Sequence, residues 1–175
     1  MITYEDRQEA IEGFARSRNA NILGLAYYRP DPNALQTHCI QNVSNKVDQE
    51  GGAVKYGWTF HHRVNPDFGD YLFATHHAVW HNPNGTLVDI TPFHEEKKHH
   101  PITTGGDVLF LLDESANPIE VGNVRLPLPL IYFPIKANSK ILEYIKKLTE
   151  QEINDYRVNY GIDVRSVYDQ HQYNT

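Results

Sequence analysis

Residues 71–90 read YLFATHHAVWHNPNGTLVDI, and the fold turns on how this stretch is divided. Residues 71–80 are rich in aromatic and β-branched residues and predict a strand. Alternation puts Tyr71, Phe73, Thr75, His77 and Val79 on one face and Leu72, Ala74, His76, Ala78 and Trp80 on the other. His81-Asn82-Pro83-Asn84-Gly85 is a turn signal, and residues 86–90 are the returning strand. If residues 81–85 form a five-residue loop, Trp80 pairs with Thr86 and His77 stands opposite Asp89. Directly opposed residues have Cβ atoms roughly 4.5–5.5 Å apart. That lets a carboxylate accept from an imidazole N–H, fix its tautomer and support its charged form. His76 then meets Ile90, which offers no partner.

Upstream, residues 39–49 predict a short helix, with Ile40, Val43 and Val47 on one stripe and Gly51-Gly52 as its stop. Cys39 falls in the first turn, where free N–H groups and the helix dipole favour a thiolate. Taken singly, Cys39 also fits an inert buried thiol, His77 a satisfied sheet histidine and Asp89 a strand-end cap. Their joint placement points to a nucleophile, a base and an orienting acid.

Around this centre, residues 4–18 predict a helix with Thr3 as N-cap and Ile2 as staple, ended by Asn19 and Asn21. Residues 22–28 read as a strand or buried loop, 53–62 as a strand and 108–112 as a buried strand. The prolines of 128–135 suggest an edge strand. Residues 140–157 predict a helix capped by Ser139, and the tail 161–175 reads as polar, frayed and flexible. The 91–106 segment reads as a surface loop, and with Asn65-Pro66-Asp67 as a border of the cleft. The order suggests one α+β domain over 1–175.

The chain has 175 residues, 40% hydrophobic and 22% charged, which suits one domain with a real core. A formal net charge of -6 argues against nucleic-acid binding. The single cysteine excludes an internal disulfide and a thiolate-rich zinc site. The charged N-terminus lacks a signal-peptide pattern, and no apolar run approaches a membrane span. The expectation is a cytoplasmic protein, with an exported effector carrying a cryptic signal equally compatible. Oligomeric state is not readable.

The motifs Thr37-His38-Cys39, Gly51-Gly52-Ala53-Val54-Lys55-Tyr56-Gly57-Trp58, His77-Ala78-Val79-Trp80 and Leu87-Val88-Asp89-Ile90-Thr91-Pro92 together resemble the transglutaminase-like and papain-like cysteine enzymes. The likeness covers about residues 37–92. It is shared with a group of bacterial proteins of unassigned activity, some with a zinc-chelating tail for which this chain lacks the cysteines. The resemblance implies a Cys-bearing helix packed on an antiparallel sheet. It implies attack by Cys39 on an amide or thioester, with His77 as base and Asp89 holding the imidazole. The substrate class is a protein, a peptide or a small amide, and no cofactor is expected. The Cys39 N–H is a candidate oxyanion donor. Gln36, Asn42 and Trp58 are oxyanion or cleft candidates, each equally readable as structural.

Ten histidines raise a metal reading. No His-Glu-x-x-His helix is present, and neighbouring histidines on a strand point to opposite faces, so the pairs His61-His62, His76-His77 and His99-His100 do not chelate together. Residues 94–100 read as a solvated loop and no metal is expected. A catalytically idle binding module of the same fold and a His-rich metal-dependent hydrolase are the rival readings.

Overall fold

The computed structural model describes residues 2–20 and 22–169. Its helices are α1 (Tyr4–Ser17), α2 (Cys39–Glu50), α3 (Ser139–Tyr160) and α4 (Arg165–Asp169). Its strands are β1 (Ile22–Tyr28), β2 (Ala53–Arg63), β3 (Tyr71–His81), β4 (Leu87–Asp89), β5 (Thr103–Thr104), β6 (Asp107–Leu112), β7 (Ile119–Val121), β8 (Val124–Leu126) and β9 (Ile131–Pro134). The fold class is α+β.

The sheet closes on itself. Its order runs β1-β4-β3-β2-β6, and β6 pairs back onto β1, making a small five-stranded barrel. All pairings in the ring are antiparallel except β1 with β4. Ala26, Val79 and Phe110, with Leu87 and Leu112 against them, fill the barrel from four different strands. Gly57 makes closure possible: a Cβ there would overlap the Leu111 carbonyl and stand 2.7 Å from Phe110 Cζ. The 128–135 segment is an edge, since among the described residues β9 pairs only with β3.

Helices cover the outer wall. Ile11, Phe14 and Ala15 of α1 pack on Trp58, Phe60, Leu72, Ala74 and Phe133. Val43 of α2 packs on Ala78, Val88 and Ile90. Both halves of the Thr3 capping box are present: Asp6 N donates to Thr3 Oγ1 at 3.1 Å and Thr3 N to Asp6 Oδ2 at 2.8 Å. The cap of α3 is Asn138, one residue before Ser139; its Oδ1 accepts from Ile141 N at 3.0 Å. Of the tail read as frayed, 165–169 is helical and 170–175 lie outside the described residues, as does Asn21.

The central hairpin differs from the expected register by two residues. Trp80 pairs with Val88 and His81 with Leu87. Five residues, 82–86, separate that pair, so the loop keeps the expected length but starts one residue later; Asn82 organises it, its Oδ1 accepting from Asn84 N (3.0 Å) and Thr86 N (2.9 Å). Gly85 follows at φ 83°, a conformation glycine adopts without steric cost. A shift of two preserves which residues share a face, whereas a shift of one reverses it. His77 and Asp89 therefore remain on one face although they are not directly opposed.

Candidate active site

Between Trp80 and Ala74 the outer edge of β3 has no strand partner, since β4 pairs it at 80–81 and β9 at 71–74. Backbone direction in this gap follows from β2. Tyr56 and Phe60 turn their carbonyls away from β3 to accept from Asp113 N and Ile102 N. Their row partners on β3, the even-numbered residues, then turn their peptide groups outward into the gap. Cys39 fills part of it: the Ala78 backbone N–H donates to its sulfur.

Cys39 begins α2, which has no acidic residue in its first turn and no side-chain N-cap. The first-turn N–H groups thus stay available to a ligand. The approach to the helix is held from both sides. Thr37 adopts φ 65°, a costly conformation for a β-branched residue. Its hydroxyl and His38 Nδ1–H both donate to the Gln36 carbonyl at 2.6 Å. Asn42 clamps the other side, accepting from Leu35 N (3.0 Å) and donating to Leu35 O (2.7 Å) and Thr91 Oγ1 (3.2 Å).

The His77 ring lies against the thiol, close enough for each group to shift the other. His77 Nε2–H donates to Asp89 Oδ2 at 3.0 Å, leaving Nδ1 as the nitrogen for sulfur. Asp89 Oδ1 accepts from Thr91 N at 3.0 Å, so both carboxylate oxygens are used. Burial pushes the Cys39 thiol up, but the charge of His77 and its hydrogen bond outweigh this, and the thiol ends below its ordinary range. Burial opposes charge on His77, yet Asp89 first and Cys39 second hold it well above the usual imidazole value. The two shifts favour one state, thiolate beside imidazolium.

This group sits in a cleft of about 600 Å³. Thr37 to Gln41 form one end, and His77, Thr75, Thr59, Phe73 and His61 form the floor on the inner face of β2 and β3. Thr91, Pro92, Phe93 and His94 stand along one wall and Pro127, Leu128 and Leu130 along the other.

The three central residues expected from sequence meet here; three others do not join them. Gln36 contributes its carbonyl, and it is not among the cleft-lining residues. Asn42 is 8% exposed and spends its amide on the Leu35 loop and Thr91. Trp58 is fully buried on the opposite face, where its Nε1 donates to Asp113 Oδ2 at 2.9 Å and its ring packs edge-on to Phe14. The placement of Trp58 as a cleft wall is thereby corrected: it is core, as its even position on β2 requires. The 91–106 segment does border the cleft, but 65–67 does not. Much of 91–106 is more ordered than a solvated loop: Thr91 is 5% exposed, a 3₁₀ turn spans Lys97–His99 and Thr103–Thr104 pair with β6.

His76 is structural. Its Nε2 donates to Ala116 O at 2.7 Å and its Nδ1 accepts from Leu128 N at 3.1 Å, tying the segment before β9 to the barrel wall. Burial above all lowers its pKa to about 4. Its backbone, by contrast, faces the cleft. Sequence reasoning placed His61 or His62 on a strand beside His77, and His61 is the one on that face; it missed the floor residues Thr59 and Thr75, whose signal strand alternation contained once the β2–β3 register was known.

On the rim, ligand atoms of His94, Glu96 and His99 lie within 4.8 Å of one another. This group is already internally satisfied: Lys98 Nζ pairs with Glu96 at 2.6 Å and His94 Nδ1 accepts from Glu96 N at 3.0 Å. Among the described residues no helix is long and apolar enough to cross a membrane. Comparison of the chain with models of protein families, with curated proteins and with solved structures gives no match in any of the three.

Proposed function

We propose that the protein is a cysteine-dependent acyl-transfer enzyme of the transglutaminase-like or papain-like kind, acting on an amide or thioester carbonyl. One observation carries this reading: a thiol at a helix N-terminus lies against an imidazole whose Nε2 is held by a buried carboxylate. A structural cysteine needs neither partner.

The Cys39 thiolate attacks the carbonyl carbon, and the free N–H groups of the first turn of α2 receive the developing oxyanion. The tetrahedral adduct collapses and the leaving amine or thiol takes the proton from His77. Water or an acceptor amine then attacks the thioester, His77 removes its proton, and the Cys39 thiolate departs. Asp89 holds the ring throughout. The unpaired β3 edge at His76, beside Cys39, supports a polypeptide substrate, because an extended chain adds to such an edge. A free thiol nucleophile also suits a reducing compartment.

Reaction with p-nitrophenyl acetate tests the reading. The expected result is a rapid burst of one equivalent of p-nitrophenol with the acetyl group on Cys39 by mass spectrometry, absent in Cys39→Ala. A burst unchanged in Cys39→Ala, or none in the wild type, removes the enzyme reading in favour of a binding module.

A further inference from the structure

The cleft floor holds a group that the Cys39–His77–Asp89 relay does not use. His61 is 8% exposed and lies on the same strand face as Thr59. Its ring stacks on Phe73, with centroids 4.7 Å apart and planes 7° from parallel. One ring nitrogen bonds the His100 backbone carbonyl. The other, Nδ1, has no hydrogen-bond partner among the described residues. Burial, followed by the nearby Arg63 charge, lowers its pKa to about 4. A neutral ring that donates through Nε2 to a carbonyl presents a bare lone pair at Nδ1. Leaving such an acceptor dry is destabilising, and buried polar atoms in folded proteins are almost always paired.

We propose that His61 Nδ1 is a specificity-determining acceptor that receives an N–H or O–H donor from the part of the substrate lying along the cleft floor. The proposal rests on the reading of Cys39 as nucleophile for its orientation. On β2 the row partner of His77 is Gly57, and His61 lies four residues further along. At about 3.3 Å per residue the two rows lie roughly 13 Å apart along the strand. Between them lie Thr75, Thr59 and the face of Phe73, with Phe93 and Leu128 as walls. The substrate class is therefore an acyl compound whose extended, largely apolar chain carries a hydrogen-bond donor that distance from the attacked carbonyl. Such a donor completes the valence of His61, and an equally long chain ending in a methyl group leaves it unmet.

Two unreactive probes test this: a straight-chain alkyl acetamide spanning roughly 13 Å and ending in a hydroxyl, and its methyl-ended isostere. Calorimetry with the full chain is expected to show tighter binding of the hydroxyl probe by about fivefold or more. That probe alone should shift the nitrogen-15 resonance of His61 Nδ1. His61→Phe keeps the stack on Phe73 and should abolish the preference while retaining the methyl-ended probe. His61→Asn, which keeps an acceptor, should retain part of it. Equal affinities in the wild type, no binding of either probe, or a preference surviving in His61→Phe overturns the proposal. Iodoacetamide labelling of the same samples separates the two readings. Fast labelling of Cys39 without a hydroxyl preference defeats only the His61 proposal; slow labelling with the preference intact defeats only the nucleophile.

Discussion

Asp89→Asn isolates the charge behind the imidazole. The side chains are nearly isosteric, so packing is kept. What changes is the acceptor for His77 Nε2–H, now 3.0 Å away with Asp89 2% and His77 14% exposed. The asparagine oxygen can serve His77 or the Thr91 amide, but not both as the carboxylate does. A hydrogen bond to a charged group contributes about 1.5–3 kcal/mol, against about 1 kcal/mol for a neutral one. The loss falls on the imidazolium, and through it on the thiolate it stabilises. The sign follows from the two shifts: His77 is raised and Cys39 lowered, so the ion pair occupies the pH range between them. The substitution lowers the upper, His77, end of that range, while the direct effect of the Asp89 charge on the thiol is smaller and opposite in sign. Iodoacetamide labelling of Cys39 near about pH 6, well below the ordinary thiol range of about 8.5, should slow by about 2–30-fold. Near about pH 10 the thiol ionises unaided and the two proteins should converge. Equal rates at the acidic pH, with circular dichroism showing both folded, would refute the reasoning.

Other perturbations follow from the same contacts. His61 and His76 are held neutral, each lowered from 6.5 to about 4. The unfolded chain therefore binds more protons below about pH 6.5, and stability falls as pH drops from 6.5 to 4, by about 3 kcal/mol per histidine at the limit. His77, which is raised, adds no slope there, because its contribution is complete below its unfolded value. Urea denaturation at the two ends of that window checks this, and a flat profile contradicts it. Gly57→Ala should destabilise by about 3 kcal/mol or more, since the new methyl group meets the Leu111 backbone; thermal unfolding reads it. Asp113→Ala removes one partner of the buried Arg18 (3.0 Å) and the acceptor of Trp58 Nε1. The expected loss is about 3–5 kcal/mol, with Cys39 labelling unchanged in the folded fraction. Asn42→Ala frees the Leu35 loop from α2 and should cost about 2 kcal/mol in chemical denaturation while raising proteolysis at 33–37.

Much of the architecture was legible because it is local. The Thr3 capping box, the alternation of β3 and the stripe of α3 are each decided within a few residues. The meeting of His77 and Asp89 was reached through a loop placed one residue too early. Asn82 supplies from its side chain a turn that a backbone count does not register, and the two-residue difference happened to keep both groups on one face. Barrel closure was not legible. Pairing of Ile22–Ala26 with Val108–Leu112 joins segments some eighty residues apart, and the Gly57 contact that permits it is visible only once β6 is in place. Trp58 was ambiguous for a related reason. Alternation assigns it a face, but only the packing of α1 reveals which face is core. His76 and His77 look alike in the sequence; Ala116 and Leu128, far along the chain, make one a tie and leave the other for chemistry.

The thiolate itself can be titrated, from the ultraviolet absorbance of the wild type minus that of Cys39→Ala across pH. The account requires that the thiolate signal persist well below the free-thiol range of about 8.5 and that His77→Ala return it there. A single ionisation at or above the free-thiol range, the same with and without His77, would contradict it.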